Sequence, residues 1–350
     1  MPKLYIAEML RAQHKHHVSF HTPGHKRTGA DITELSYSDC LSSPTGILQA
    51  AENDIAEILG GERSFILTDG STSGIFSMVY ALKAAGKTSL AVPAYSHPSV
   101  WHACEVMRIK PVPMPQTVRY GIPQQPDVAA LEAALEGAEA ILLTSPDYYG
   151  NIANLSAAQK LCVQANKPLL VDGAHGGHLH REKEVYAGSY ADMWVDGVHK
   201  SLPAMTQGAV VSAKSQGWAK NLHAGVLRFR TTSPSYPIMA SVEYAVKYPQ
   251  NDRIKEAAKA FKREHGCYEN ADWTKILVPF GKEGPKAAAY LEAHGVYPEF
   301  NDGNYIMFYL SPCTKEKDLK VLGRLLKKLA RGEVKEDAPA GAIPMYSEDE

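Results

Sequence analysis

Asp192-Met-Trp-Val-Asp-Gly-Val-His-Lys-Ser201 is the stretch on which the reading of the chain turns. Met193, Trp194 and Val195 form a short apolar strand, Asp196-Gly197 a turn, and His199-Lys200 follow the strand end. A lysine held there beside a histidine can lose its proton, and a neutral amine can form a Schiff base with an aldehyde. Alone, a lysine after a strand is an ordinary surface residue. Upstream, however, Val171-Asp172-Gly173-Ala174-His175 is a second apolar strand ending in an acid. A carboxylate at one strand end and a lysine at another are the pair that pyridoxal phosphate (PLP) requires. The lysine takes the aldehyde, and the acid keeps the pyridine nitrogen protonated.

The rest of the composition is compatible with that chemistry. The chain has 350 residues, 45% hydrophobic and 21% charged, enough for one large and one small domain. A formal net charge of -1 without a long basic run gives no footprint for nucleic acid. No apolar run approaches the ~20 residues of a membrane span, and Met1-Pro-Lys-Leu-Tyr-Ile6 is not a signal-peptide core. Cys40, Cys104, Cys162, Cys267 and Cys313 are scattered, which implies reduced thiols and a cytoplasmic setting.

Strands and helices alternate along most of the chain. A helix is expected over residues 4–17, its end marked by His14, His16 and His17; these could ligate a metal, but a polar helix end is the plainer account. Phe20-His-Thr-Pro-Gly-His-Lys26 is a turn that exposes polar groups. A helix over 47–59 ends at Gly60-Gly61. A strand at 64–67 runs into Thr68-Asp-Gly-Ser-Thr-Ser-Gly74 and a helix over 75–85. Strand, Gly/Ser/Thr turn and helix start make an anion site, or simply an N-cap. Strands at 89–92, 110–114 and 140–144, with helices between them, carry Tyr95-Ser-His97-Pro-Ser99 and Ser145-Pro-Asp-Tyr-Tyr-Gly-Asn151 on their following loops. Tyr148, Tyr149 and Asn151 are therefore pocket candidates. After Lys200 come a strand at 208–212 and a helix from about 238; a linker helix, two strands and two helices then form a smaller α+β unit. The rhythm implies a mostly parallel sheet, seven-stranded in type, covered by helices on both faces.

With these residues assembled, the chain resembles the Orn/Lys/Arg decarboxylase family, PLP enzymes of the aspartate-aminotransferase fold (fold type I). It is most similar to a short bacterial branch without an N-terminal receiver-like wing. The resemblance rests on His21-Thr-Pro-Gly-His-Lys26, Asp69-Gly-Ser-Thr-Ser-Gly74, Ser96-His-Pro-Ser99, Pro146-Asp-Tyr-Tyr-Gly150, Val171-Asp-Gly-Ala-His-Gly176, His199-Lys-Ser-Leu-Pro203 and Thr231-Thr-Ser-Pro-Ser-Tyr236, in matching order over about residues 5–245. It implies a division into an N-terminal helix and active-site segment (1–30), a PLP-binding large domain (31–245), a small α+β domain (246–335) and a frayed acidic tail (336–350). It implies that Lys200 carries the cofactor and that Asp172 pairs with its ring nitrogen. His97 would stack on the ring, with Ala174 beneath it. Gly70, Ser71 and Thr72 would cradle the phosphate. His199 would help return a proton to the product carbon, and His175 would lie near the ring oxygen or the substrate. The 231–233 stretch, Thr232 at its centre, would reach the phosphate of a neighbouring subunit, making a homodimer with shared active sites.

Three features qualify the resemblance. Position 197, usually a serine that contacts phosphate, is Gly197; a lost hydroxyl costs ~1–3 kcal/mol. The Asp196 carboxylate beside it would oppose phosphate unless it points away. Family members continue past the Gly341-Ala-Ile-Pro344 segment, beyond which a further domain is expected to be absent. The function expected is decarboxylation of a basic amino acid, arginine first and then lysine or ornithine, within polyamine synthesis. Asp147 and Glu243 are positional candidates for the substrate's distal cation. The alternatives are another reaction on the same fold, such as transamination or lyase chemistry, and a PLP-binding protein with little decarboxylase activity. A metal hydrolase built on His175-x-x-His178-x-His180 would need its three imidazoles to converge.

Overall fold

The computed structural model describes residues 2–12, 18–26, 31–115 and 117–332; His14, His16, His17, the Gly341-to-Pro344 segment and the acidic tail lie outside these. The chain divides into two compact units, residues 1–250 and 251–350. The first contains helices α1 (Tyr5–Arg11), α2 (Ile47–Leu59), α3 (Ser71–Ala84), α4 (Pro98–Met107), α5 (Val128–Gly137), α6 (Leu155–Gln164), α7 (Val198–Ser201), α8 (Gln216–Phe229) and α9 (Tyr236–Val246). Its strands are β1 (Arg63–Leu67), β2 (Ser89–Pro93), β3 (Lys110–Met114), a small hairpin of β4 (Val118–Arg119) and β5 (Ile122–Pro123), β6 (Ile141–Thr144), β7 (Leu169–Gly173), β8 (Met193–Asp196) and β9 (Ala209–Ala213).

Seven of these strands form one sheet, ordered β1-β9-β8-β7-β6-β2-β3. Only β9 runs against its neighbours. A parallel sheet needs cover on both faces, and the inner strands β6, β7, β8 and β9 show it by being buried at every residue, while the edge strand β3 is partly exposed. On β8, Met193 and Val195 pack into the cluster of α3, α4 and α8, while Trp194 packs into the opposite cluster of α2, α6 and α9. The expected mostly parallel sheet between helical layers is therefore the observed one.

Two helices depart from the sequence reading. Helix α3 begins at Ser71, not near 75, because Gly70 (φ 84°) reverses the chain directly after β1 and leaves Ser71-Thr72-Ser73 as the first helical turn. Helix α8 was not anticipated. Gly217 and Gly225 weaken its helical signal, yet Gly225 is where α8 meets α3: a Cβ there would lie 2.6 Å from the Ser77 carbonyl oxygen. The helix expected over 4–17 is described only to Arg11. The second unit is a three-stranded antiparallel sheet, β10 (Lys275–Pro279), β12 (Tyr305–Tyr309) and β11 (Phe300–Asn301), packed with α10 (Asp252–Glu264), α11 (Gly284–Ala293) and α12 (Glu316–Ala330). Among the described residues, no helix is long and apolar enough to cross a membrane.

One buried ion pair braces the end of β1. Glu52 on α2 accepts the Ile66 N–H (3.0 Å), and Arg230 donates to the Ile66 and Leu41 carbonyls (3.1 and 2.6 Å). The two side chains approach to 3.6 Å, each 3% exposed. Burial pushes the Glu52 carboxyl up to about 7, against the pull of Arg230. Replacing Arg230 with Met would strand this carboxylate, so Arg230→Met should cost ~3–5 kcal/mol in denaturant unfolding. Adding Glu52→Gln should restore part of it; a single-variant loss below about 1 kcal/mol would show that the pair braces nothing.

Candidate active site

The carboxyl ends of β2, β6, β7 and β8 and the start of α3 enclose a cavity of about 420 Å³. Open parallel sheets place ligands at this edge because successive loops diverge there. Asp172, at the end of β7, is 2% exposed and accepts the Ala174 N–H at 3.1 Å. Burial raises its pKa, while that N–H, Lys200 and His97 all favour the anion. Lys200 stands on the single helical turn α7, fixed from behind by fully buried Val198 and Ser201; the Ser201 Oγ accepts the His178 N–H at 3.2 Å. The Lys200 Nζ lies 3.2 Å from His175 Nε2, and the edge of the His175 ring meets Tyr148.

Both remaining histidines are held as neutral rings. His97 caps α4, its Nδ1 accepting the Ser99 N–H at 3.2 Å with the Ser99 hydroxyl 2.7 Å away. A nitrogen that accepts from an N–H carries no proton, so the ring hydrogen is on Nε2. Burial lowers the His97 pKa, partly countered by Asp172. His199 donates from Nδ1 to the Gly208 carbonyl at 2.9 Å, leaving Nε2 as an acceptor, and burial again lowers its pKa.

At the α3 end, Gly70, Ser71 and Thr72 line the cavity. Ser73 is turned away: its hydroxyl donates to Asp69 Oδ1 and the Gly70 carbonyl (2.9 and 3.0 Å). Gly70 provides no side-chain cap, so the first amides of α3 are available to an anion. An uncapped helix start, an amine and a buried carboxylate in one cavity are the donor set that a phosphorylated pyridine aldehyde needs, and these residues fit such a group.

The cavity therefore gathers Gly70, Ser71, Thr72, His97, Asp172, Ala174, His175, His199 and Lys200. Thr232 is not among its lining. It is exposed on a turn whose Thr231 N–H donates to Asp69 Oδ2 (2.8 Å). Tyr148 and Tyr149 line the cavity; Asn151 instead holds Asp147, which does line it. Glu243 does not line it: fully buried, it pairs with Lys247 (3.0 Å) and caps α1 through the Tyr5 and Ile6 N–H groups. His178 and His180 lie on a 3-10 turn outside the cavity that holds His175, and among the described residues no three His, Cys, Asp or Glu side chains are grouped to hold a metal. Sequence reasoning missed Tyr95, Thr206 and Gln207, which line the cavity, and Gln125, which accepts the Tyr95 hydroxyl at 2.7 Å and donates to the Thr144 and Asn151 carbonyls (3.0 Å each). Their partners are distant in sequence, and no local pattern marks them.

A family model described as Orn/Lys/Arg decarboxylase, major domain, matches residues 27–264. The Bacillus subtilis protein YaaO, which is uncharacterized, is 28% identical over 88% of this chain and 73% of its own. An arginine decarboxylase of Halalkalibacterium halodurans is 29% identical over 93% of this chain and 77% of its own. A lysine decarboxylase structure from Francisella novicida superposes with a TM-score of 0.79 at 19% identity, covering 94% of this chain. This chain spans 60% of that structure's length, and the likeness establishes a shared fold.

Asp196, the carboxylate beside the lysine turn, points away from the cavity. Along β8 it shares the face of Trp194, and its Oδ2 accepts the Tyr186 hydroxyl (2.6 Å) and Trp194 Nε1 (3.1 Å). It therefore does not oppose a phosphate. Burial pushes its pKa from 3.8 up to about 7, its Oδ1 being buried with no partner among the described residues. Between those values the folded state holds a proton that the unfolded state has released. Its contribution to stability is complete below the unfolded pKa and is lost as pH rises through about 7. Urea unfolding of the wild type should lose stability between about pH 5 and about pH 7, and Asp196→Asn should flatten that slope. An unchanged slope would mean that Asp196 is ionised in the folded protein.

Proposed function

The chain belongs to the Orn/Lys/Arg decarboxylase family, and on that premise we propose that it is a PLP-dependent decarboxylase of a basic amino acid, with arginine as first substrate and lysine or ornithine behind it. The observation that carries this reading is the meeting of Lys200, Asp172, His97 and the uncapped start of α3 in one cavity. Relatives named arginine decarboxylase in Halalkalibacterium halodurans and Bacillus cereus support arginine.

Bound PLP would supply an aldehyde for the substrate amine and a ring that takes up the electron pair left when carbon dioxide departs. The chain's own groups do the rest. Lys200 would hold the aldehyde, and His175 Nε2, 3.2 Å from Nζ, would take the proton that the amine must lose. Asp172 would hold the ring nitrogen, its anion favoured by the Ala174 N–H and Lys200 against burial. His97 would present a flat neutral ring, and Ser71 and Thr72 would receive the phosphate with the first amides of α3. His199, fixed through Nδ1 with Nε2 unprotonated, would take up a proton at Nε2 before passing it to the product carbon. Of the two positional candidates for the substrate's distal cation, Asp147 lines the cavity and would be the acid to meet it, whereas Glu243 is buried against Lys247. Thr232, outside its own chain's cavity, would reach the phosphate of a second copy in a homodimer. The setting would be cytoplasmic polyamine synthesis.

The test is product analysis with PLP and each of arginine, lysine and ornithine. Carbon dioxide and the matching amine should form fastest from arginine, and Lys200→Ala should lower kcat by about 10³-fold or more. A keto acid in place of carbon dioxide and amine would contradict the decarboxylase reading.

A further inference from the structure

Gln207 occupies a position that local physics assigns to glycine. Residues Met205, Thr206, Gln207 and Gly208 form a tight turn closed by the Gly208 N–H donating to the Met205 carbonyl at 3.0 Å. Gln207 is third in that turn with φ 76°, in the left-handed region where side chains are disfavoured. Five other described non-glycine residues have positive φ, and none of them lines the cavity; Gln207 does. Backbone strain retained at a cavity wall marks a side chain with a task there.

The turn is wired to both ends of the site. The Gly208 carbonyl takes the His199 N–H and Nδ1 (3.0 and 2.9 Å). The Gln207 carbonyl takes the Gly70 N–H at 2.9 Å. That bond sets the Gln207 backbone beside the start of α3, one residue from the carbonyl that holds His199. It also removes one backbone donor, the Gly70 N–H, from any anion bound there. The Gln207 side-chain amide is exposed and makes no hydrogen bond to any described residue. Position 197 cannot replace the lost donor. A Cβ on Gly197 would lie 2.4 Å from the Ala174 carbonyl oxygen, so no hydroxyl can project from it without moving the backbone.

We propose that Gln207 is a cofactor-binding residue of this chain, its side-chain amide donating to the phosphate in place of the Gly70 N–H and of a hydroxyl at position 197. The proposal rests on the cofactor reading above. It assigns the strained turn two roles: the carbonyl orients the phosphate loop, and the amide completes it.

The two roles separate in Gln207→Gly, which keeps the carbonyl, relieves the backbone and deletes only the amide. Dissociation constants for PLP and for pyridoxal, which lacks the phosphate, are measured on the cofactor-free protein by fluorescence titration. The wild type should prefer PLP, and Gln207→Gly should lower that preference about tenfold, leaving pyridoxal affinity within about twofold. Gln207→Asn, which tolerates the left-handed backbone but has a shorter reach, should show the same loss. An unchanged preference in both variants, or equal weakening of both ligands, overturns the proposal while leaving the cofactor reading intact. Failure of the wild type to bind PLP overturns both.

Discussion

The contact between the Gly197 backbone and the Ala174 carbonyl sets the separation of the two groups on which the site depends. Strands β7 and β8 are paired in register, Asp172 opposite Val195 and Gly173 opposite Asp196. Their extensions then touch so closely that only a glycine fits at 197. One extension carries Asp172 and the Ala174 N–H that bonds it; the other turns through Gly197 into Lys200. The spacing between acid and amine is therefore held by backbone, which cannot change rotamer, and by the buried neighbours Val198 and Ser201. A site whose first groups are fixed this way is preorganised before any ligand arrives.

The charges follow the same economy. Burial raises the pKa of Asp172, opposed by the Ala174 N–H and by Lys200, whereas Asp196, one strand over and on the opposite face, is raised to about 7 by burial between Tyr186 and Trp194. Two buried carboxylates at adjacent strand ends thus meet different partners: a backbone N–H and Lys200 for Asp172, a phenol and an indole N–H for Asp196. The histidines are kept neutral by burial and by the partner chosen for Nδ1: an N–H donor for His97, a carbonyl acceptor for His199. The two rings consequently expose opposite functions at Nε2, a donor and an acceptor.

Much of this was legible in the sequence because it is local. Apolar strands ending in Asp172 and in the turn before Lys200 are short-range patterns, and alternation of strand and helix implies the parallel sheet. What escaped depends on tertiary contact. Helix α8 was hidden by glycines that serve its approach to α3. The start of α3 was misplaced because Gly70 turns the chain in a single residue. Glu243 looked available from its position in the chain but is consumed in capping α1 and pairing with Lys247. Tyr95 and Gln125 meet across thirty positions of sequence, and Gln207 gives no signal at all until its φ is known. The Asp196 carboxylate, a concern beside a phosphate, is resolved by strand alternation, which turns it to the far face.

On the proposed function, Lys200 would hold the aldehyde. Protein mixed with PLP, reduced with borohydride and digested should carry a pyridoxyl group on one peptide, attached at Lys200, and the label should fall when Asp172→Ala weakens retention of the ring. Label on another lysine, or none at saturating PLP, would contradict the account at its root.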